Sequence, residues 1–260
     1  MNNVLTALKH ASTYASSLLL ATAIGIGTSF TCHAQSVAAG EYSLTPFESQ
    51  FVASREGKPI GHARLIFNQL PNQLWQLEYE SKVSKYFLTD KRSEVTRYLN
   101  TVAAEPTHLP LQPISYVYAR TGTGKDKGLS ITFDHADNQF LTSIPIDEEV
   151  QFALNKQFDN QFFRIDVPYQ LSLGKRQFSY SFINYRGTSR EYNISTVTTE
   201  IQRLPIGELQ TIKVMIDRSA STRQTFAWFA PSLNYQLVRL QQFKDGKEQG
   251  DIQLRVFKNL

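Results

Sequence analysis

Apolar and polar residues alternate one for one through most of this chain. In QLWQLEYESKVS, residues 73–84, Trp75, Leu77, Tyr79 and Val83 fall on one face, and Gln76, Glu78, Glu80 and Lys82 on the other. Successive side chains of an extended strand point to opposite faces, so this pattern predicts a half-buried strand. It recurs in RQFSYSF, where Phe178, Tyr180 and Phe182 oppose Ser179 and Ser181. It returns in Ile114, Tyr116 and Tyr118, in Ile212, Val214 and Ile216, and in Ile252, Leu254 and Val256. Strands with one apolar and one wet face build antiparallel sheets.

Turn chemistry separates these runs. EGKP at 56–59, LPNQ at 70–73, DHADNQ at 134–139, YRGT at 185–188 and KDGKEQG at 244–250 supply Gly, Asn, Asp or Pro where strands must reverse. The spacing yields about a dozen strands, which suits an all-β fold, a single antiparallel β-barrel or a strongly curved half-barrel. One segment departs from the pattern. In FDNQFFRIDVPYQLSLGK, Asp159 offers an N-cap, apolar residues recur at 162, 165, 169 and 173, and Gly174 offers a C-cap. This predicts one helix over 159–173, interrupted or kinked at Pro168. Ile165, Val167, Tyr169, Leu171 and Leu173 also alternate, so a strand is the rival reading, and the caps favour helix.

Residues 1–34 have the layout of a secretory signal peptide: Lys9 alone among charged residues, then SSLLLATAIGIGTSF, then CHA. The apolar run is too short to span a bilayer comfortably, and nothing downstream approaches the length of a second span. Cleavage after Ala34 would start the mature chain at Gln35. Cys32, the only cysteine, would leave with the peptide, because the bulky Phe30 beside it departs from the small residues of a lipid-attachment signal. The mature chain, 35–260, then has no disulfide, no thiol catalysis and no thiolate metal site. Its expected compartment is the periplasm. Without a linker rich in Gly, Pro or Ser, it reads as a single β-rich domain.

Charge changes the picture little. The formal net charge of +4 is spread over 27 basic and 23 acidic residues with the signs interspersed. No like-charge block indicates a nucleic-acid partner or a polybasic membrane patch.

Three short motifs invite chemistry and fall short of it. GTGKDKG at 122–128 lacks the spacing and the Ser or Thr of a phosphate loop, and strand-like runs flank it. Asp134, His135 and Asp137 sit within a single turn, without the spread of ligands a metal site needs. Asp147, Glu148 and Glu149 are adjacent, so on an extended chain they point to opposite faces rather than converge. No GxSxG or HExxH occurs, and no cofactor or metal is expected. The aromatics are more substantial. Trp75, Tyr79, Tyr116, Tyr118, Phe178, Tyr180, Phe182 and Trp228 are the candidate ligand-binding residues, on the reading that these faces line an apolar pocket. The bland reading is a packed core.

Several segments together resemble a family of proteobacterial envelope proteins, domain of unknown function 3108. They are LTPFESQFVASREGKPIGHARLIF, ISYVYAR ahead of FDHADNQF, FDNQFF with LSLGK, TTEIQRLPIGELQTIKV and TFAWFAPSLNYQLVRLQQFKDG. The resemblance implies an exported β-rich domain and brings no established activity or site residues. The expected function is non-enzymatic: binding or chaperoning an apolar, lipid-like envelope component. One alternative is an envelope-assembly module that meets another envelope protein through a sheet edge. The other is a hydrolase with carboxylates that no motif identifies. A membrane-spanning barrel is disfavoured, because FVASREG and SEVTRYLN interrupt any lipid-facing band with charge.

Overall fold

The computed structural model describes residues 42–101, 107–143, 149–154, 157–183, 187–218 and 222–260. The predicted leader, with Cys32 and Ala34, lies outside them. Among the described residues, fifteen strands form one sheet. The first eight are β1 (Phe47–Arg55), β2 (Lys58–Gln69), β3 (Trp75–Lys85), β4 (Leu88–Asn100), β5 (Leu111–Gly122), β6 (Lys127–Asp134), β7 (Gln139–Ser143) and β8 (Glu149–Ala153). After β9 (Phe158–Asp159) and the helix α1 (Phe163–Ser172) come β10 (Gln177–Ile183), β11 (Ser189–Leu204) and β12 (Gly207–Arg218). The chain finishes with β13 (Arg223–Ala230), β14 (Gln236–Lys244) and β15 (Lys247–Asn259).

The chain lays down β1 to β8 outward in one direction, crosses to the opposite edge, and returns from β10 to β15. There β15 pairs with β1, antiparallel like every other pair except the short parallel contact of β9 with β10. Two-residue and other tight turns make this meander cheap to close, since each strand reaches its partner locally.

Register carries one buried row across seven strands. Phe47, Phe67, Leu77, Thr96, Tyr116, Ile131 and Thr142 are successive lateral partners, and all are buried. The alternation read from sequence therefore marks the concave face. It slips where the strands bulge. Leu111 and Pro113 face inward, then Tyr116 and Tyr118, because the register jumps between Arg97 and Tyr98 opposite Ile114. An inserted residue inverts the parity of everything beyond it.

Edges β8 and β9 share no backbone ladder among the described residues. Side chains close the seam instead. Leu154 and Ile183, from the two sides of it, pack into one cluster with Tyr116, Tyr118, Leu129, Ile131, Phe133 and Phe140. The result is a curved half-barrel rather than a fully hydrogen-bonded one. A larger cluster, from Phe47 and Trp75 through Phe229 and Leu254, fills the remainder of the concave side together with α1.

The helix itself corrects one expectation. It starts at Phe163, and its N-cap is Phe162 with no side-chain capping bond, not Asp159. Asp159 is drawn away as the last residue of β9, where it is completely buried against β4. The C-terminus behaves as expected. Gly174 takes a positive φ of 74°, its N–H donates to Leu171 O, and the Lys175 N–H donates to Gln170 O. That pair of bonds is the Schellman arrangement, which satisfies carbonyls the helix end would otherwise strand. The helix runs through Pro168. Nearly all of its surface is buried, including the polar Arg164, Asp166 and Gln170. Buried polar groups must find partners, and those partners build the site. At ten residues, α1 is far too short to cross a membrane, and no described helix is long and apolar enough to do so.

Candidate functional site

Asp166 stands between Ile165 and Val167 on a helix that is otherwise apolar at its centre. It has no solvent exposure. Its carboxylate accepts from Tyr180 Oη at 2.6 Å, His108 Nδ1 at 2.9 Å, Gln170 Nε2 at 3.0 Å and the backbone N–H of Leu109. Gln170 lies one helical turn from Asp166 and so shares its face. Its amide also donates to Thr107 O at 2.8 Å, tying the segment before β5 to the helix. That segment is bent by Pro110, at the centre of a tight turn in which Leu111 N–H donates to Leu109 O.

A carboxylate surrounded by donors holds the hydrogen of His108 on Nδ1 and leaves Nε2 as the acceptor nitrogen. The His108 ring rests edge-on against Phe158, 5.1 Å between centroids, and tilted against Tyr180 at 5.2 Å. Phe158 in turn stacks on Phe162 at 4.1 Å. These contacts give the imidazole one orientation. Its side chain keeps 27% exposure, and it lines a half-open pocket of about 600 Å³ at the seam. Leu109, Leu111, Leu154 and Phe158 supply apolar wall, while His108, His135, Ser179 and Ser181 supply polar groups. The volume falls within the range of small-molecule sites, while the lining is more polar and more open than most of them. His135 is occupied: its Nε2 meets Pro113 O at 2.7 Å.

A second polar network lies deeper, where β9 meets β4. Asp159 accepts from Thr96 Oγ1 and Tyr98 Oη, both at 2.9 Å, and from the Gln161 N–H at 2.8 Å. Burial pushes its carboxyl up to about 6, with the neighbouring Glu94 charge adding to the same direction and the three donors opposing it. Glu94 accepts from Tyr116 Oη at 2.8 Å and lies 4.0 Å from the Arg164 guanidinium. Arg164 is stacked over Tyr79 at 4.4 Å and Phe163 at 4.9 Å. Burial holds the Tyr98, Tyr116 and Tyr180 hydroxyls well above the usual phenol range, so they act as donors to these carboxylates. This layer fastens β9 and α1 to the sheet. Its role is architectural, whereas the Asp166–His108 pair reaches a cavity.

The eight aromatics singled out from sequence are distributed rather than gathered. Phe178, Tyr180 and Phe182 stand together on β10, with Tyr180 and Phe182 stacked at 4.9 Å. Tyr180 borders the seam pocket, and Phe178 borders a shallower depression of about 430 Å³. Trp75 stacks on Phe67 at 4.7 Å, and Tyr79 lies under Arg164. Tyr116 and Tyr118 belong to the seam cluster. Trp228 is buried and donates from Nε1 to Glu200 Oε1 at 2.6 Å.

The remaining motifs resolve into turns. Residues 123–126 form the loop between β5 and β6. Asp134 Oδ1 accepts from the N–H groups of Ala136 and Asp137, so the carboxylate organises its own turn. Among the described residues no three His, Cys, Asp or Glu side chains are grouped to hold a metal. Asp147 and Glu148 lie outside the described residues. Sequence reasoning passed over His108 and Asp166. A signal for Asp166 was present, a carboxylate inside an apolar helical run with Gln170 four residues on.

No protein-family model matches the chain, and neither does any curated protein. Among solved structures, a β-barrel-like protein of domain of unknown function 1849 from Brucella abortus superposes with a TM-score of 0.59 at 6% identity, covering 84% of this chain and 99% of its own. A protein with a YmcC-like fold from Bacteroides fragilis aligns over 83% of this chain and 95% of its own, with a TM-score of 0.31 and 13% identity. With its sheet curled around a buried helix and its seam closed by side chains, this chain has the barrel-like all-β fold seen in the Brucella protein.

Proposed function

We propose that this chain is an exported periplasmic protein that binds or chaperones an apolar, lipid-like envelope component without catalysing a reaction, and that the ligand enters at the seam. The observation that carries this reading is the pocket. It combines an apolar wall of Leu109, Leu111, Leu154 and Phe158 with an imidazole held rigid by Asp166. A ligand with an apolar body and one polar group capable of meeting His108 suits that lining, since a few fixed polar groups orient what apolar contact retains. The seam is also where the sheet lacks backbone closure, so entry there breaks no ladder. The expected partner is thus an apolar envelope molecule, or a second envelope protein that delivers it.

Native mass spectrometry of protein purified from the envelope tests this directly, because a carrier should leave the cell with its ligand. Displacement of the fluorophore anilinonaphthalene sulfonate supplies the quantitative arm. Ser179→Trp fills the mouth from an exposed position on β10. It should weaken probe binding about tenfold or more, while the urea midpoint stays unchanged. Undiminished binding in this variant would remove the pocket from consideration. Hydrolysis is a second reading, favoured by the Asp166–His108 pair in a pocket that Ser179 and Ser181 also line. Covalent capture of either serine by a fluorophosphonate would support it over carriage.

A further inference from the structure

The hairpin joining β3 to β4 turns through two residues, Tyr86 and Phe87, and is followed by Leu88. All three are exposed: Tyr86 by 90%, Phe87 by 88% and Leu88 by 49%. The other large apolar residues exposed among the described ones, such as Leu99, Val117 and Ile201, stand singly. Scattered exposed apolar residues need no explanation, but three in succession at a tip do.

Backbone geometry sharpens the point. Two other two-residue hairpins at the same end of the sheet use ordinary turn chemistry, Glu56–Gly57 and Asp245–Gly246, with Gly in the second place. At the β3–β4 tip, Tyr86 occupies a positive φ of 55°. Gly, Asn or Asp is the usual occupant of such a position, and a bulky residue is disfavoured there. Tyr86 is thus held in a costly backbone conformation at an exposed position, with Phe87 exposed beside it. Such strain persists at sites of function.

Charge around the tip is predominantly basic, with exposed Glu56 and Asp126 on the flanking turns as acidic neighbours. Residues 82–92 contain Lys82, Lys85, Lys91 and Arg92 against Asp90 alone, and Asp90 is already paired with Arg92 and Arg120. The register that joins Gly61 to Val83 brings exposed Lys58 level with the tip on one side. The pairing of Asp90 with Gly122 brings exposed Lys125 level on the other.

We propose that the Tyr86–Phe87–Leu88 tip inserts into the interfacial layer of an anionic lipid bilayer, with the exposed Lys58, Lys82, Lys91 and Lys125 against the headgroups. Aromatic side chains favour the boundary between headgroup and acyl chain, and basic side chains just outside it gain from anionic lipid. A protein partner fits the tip less well. A stable protein interface buries roughly 800 Å² per partner, far more than three residues on a protruding turn can present. A bilayer accepts a small apolar wedge without a complementary surface. The proposal uses nothing from the seam pocket, so either can fail alone.

Flotation of the purified protein with vesicles of mixed phosphatidylglycerol and phosphatidylcholine, against vesicles of phosphatidylcholine alone, tests it. Wild type should bind the mixed vesicles and release them in high salt, as screening predicts. Tyr86→Gly/Phe87→Ser should lose about tenfold or more of that binding. Its urea midpoint should be equal or higher, because glycine suits the positive φ. Ser179→Trp should bind vesicles as wild type does. Three results would each overturn the proposal: absence of wild-type binding, undiminished binding by the double variant, or self-association through Phe87 without lipid.

Discussion

Replacing Tyr180 with alanine should cost about 3–5 kcal/mol of folding stability, the range for truncating a fully buried large aromatic. Tyr180 does three things at once. Its ring stacks on Phe182 and meets Phe158, Phe162 and Phe178 edge-on. Its body carries one side of the His108 ring. Its hydroxyl gives Asp166 the shortest of the side-chain hydrogen bonds that carboxylate accepts, at 2.6 Å. Tyr180→Phe separates the contributions. It keeps the ring and removes one donor to a buried carboxylate, so a loss of about 2 kcal/mol is expected. Urea unfolding of both variants reads the difference. Equal losses would mean the hydroxyl dominates, and would sink the view that β10 is held chiefly by aromatic packing. A small loss in both would mean that β10 is peripheral to the fold.

Asp159 should make stability fall as pH rises through the mildly acidic range. Its folded-state value is about 6 against an ordinary 3.8. Below pH 3.8 the group is protonated in folded and unfolded chains alike, and it exacts no penalty. Between those values the unfolded chain ionises while the folded one keeps its proton, so stability declines with rising pH. Above about 6 both forms are ionised and the loss is complete, at about 3 kcal/mol. Other carboxylates impose their own pH dependence, so the measurement is a difference between wild type and Asp159→Asn. Asparagine keeps an acceptor for Thr96 and the Gln161 N–H, and it can donate to the Tyr98 hydroxyl. Urea midpoints of the two proteins should diverge between about pH 4 and pH 7, with wild type weakening relative to the variant. Parallel curves would show that Asp159 is not the desolvated carboxylate its burial describes.

The strands were legible because the signal for them is local. A side-chain period of two needs only neighbours in sequence, and it located the inner face of β3, β10 and β12 residue by residue. Turn residues did the same for the reversals at Gly57 and Gly246. The helix was legible at its C-terminus, where Gly174 acts through its own backbone freedom, and misplaced at its N-terminus. Asp159 has the residue type of a cap and does accept the Gln161 N–H, but the fold holds it in β9 through Thr96 and Tyr98, more than sixty positions earlier in the chain, and the helix starts only at Phe163. A cap competes with whatever donors the fold brings near, and those donors are invisible to local pattern.

The aromatics show the same division. Alternation alone placed Trp75 and Tyr116 on an inward face, whereas Trp228 pairs with Lys213 and lies under Lys213 and Arg239 on the other face of β13. Which cluster each joins depends on how far the sheet curls and on the bulge opposite Ile114, which inverts the parity of β5. Gln170 and Tyr180 lie near Asp166 in sequence, but His108 and the Leu109 N–H reach it across 58 and 57 positions of chain. Hydrogen-bond partners at that separation are chosen by the crossing of the chain from β8 to the far edge. By itself the sequence determined an all-β meander with one inserted helix, because periodicity and turn chemistry act between neighbours. Only the tertiary structure decided that the seam closes through side chains, that a pocket remains there, and that a buried carboxylate aims a histidine into it, since each requires groups remote in sequence to meet in the same dry space.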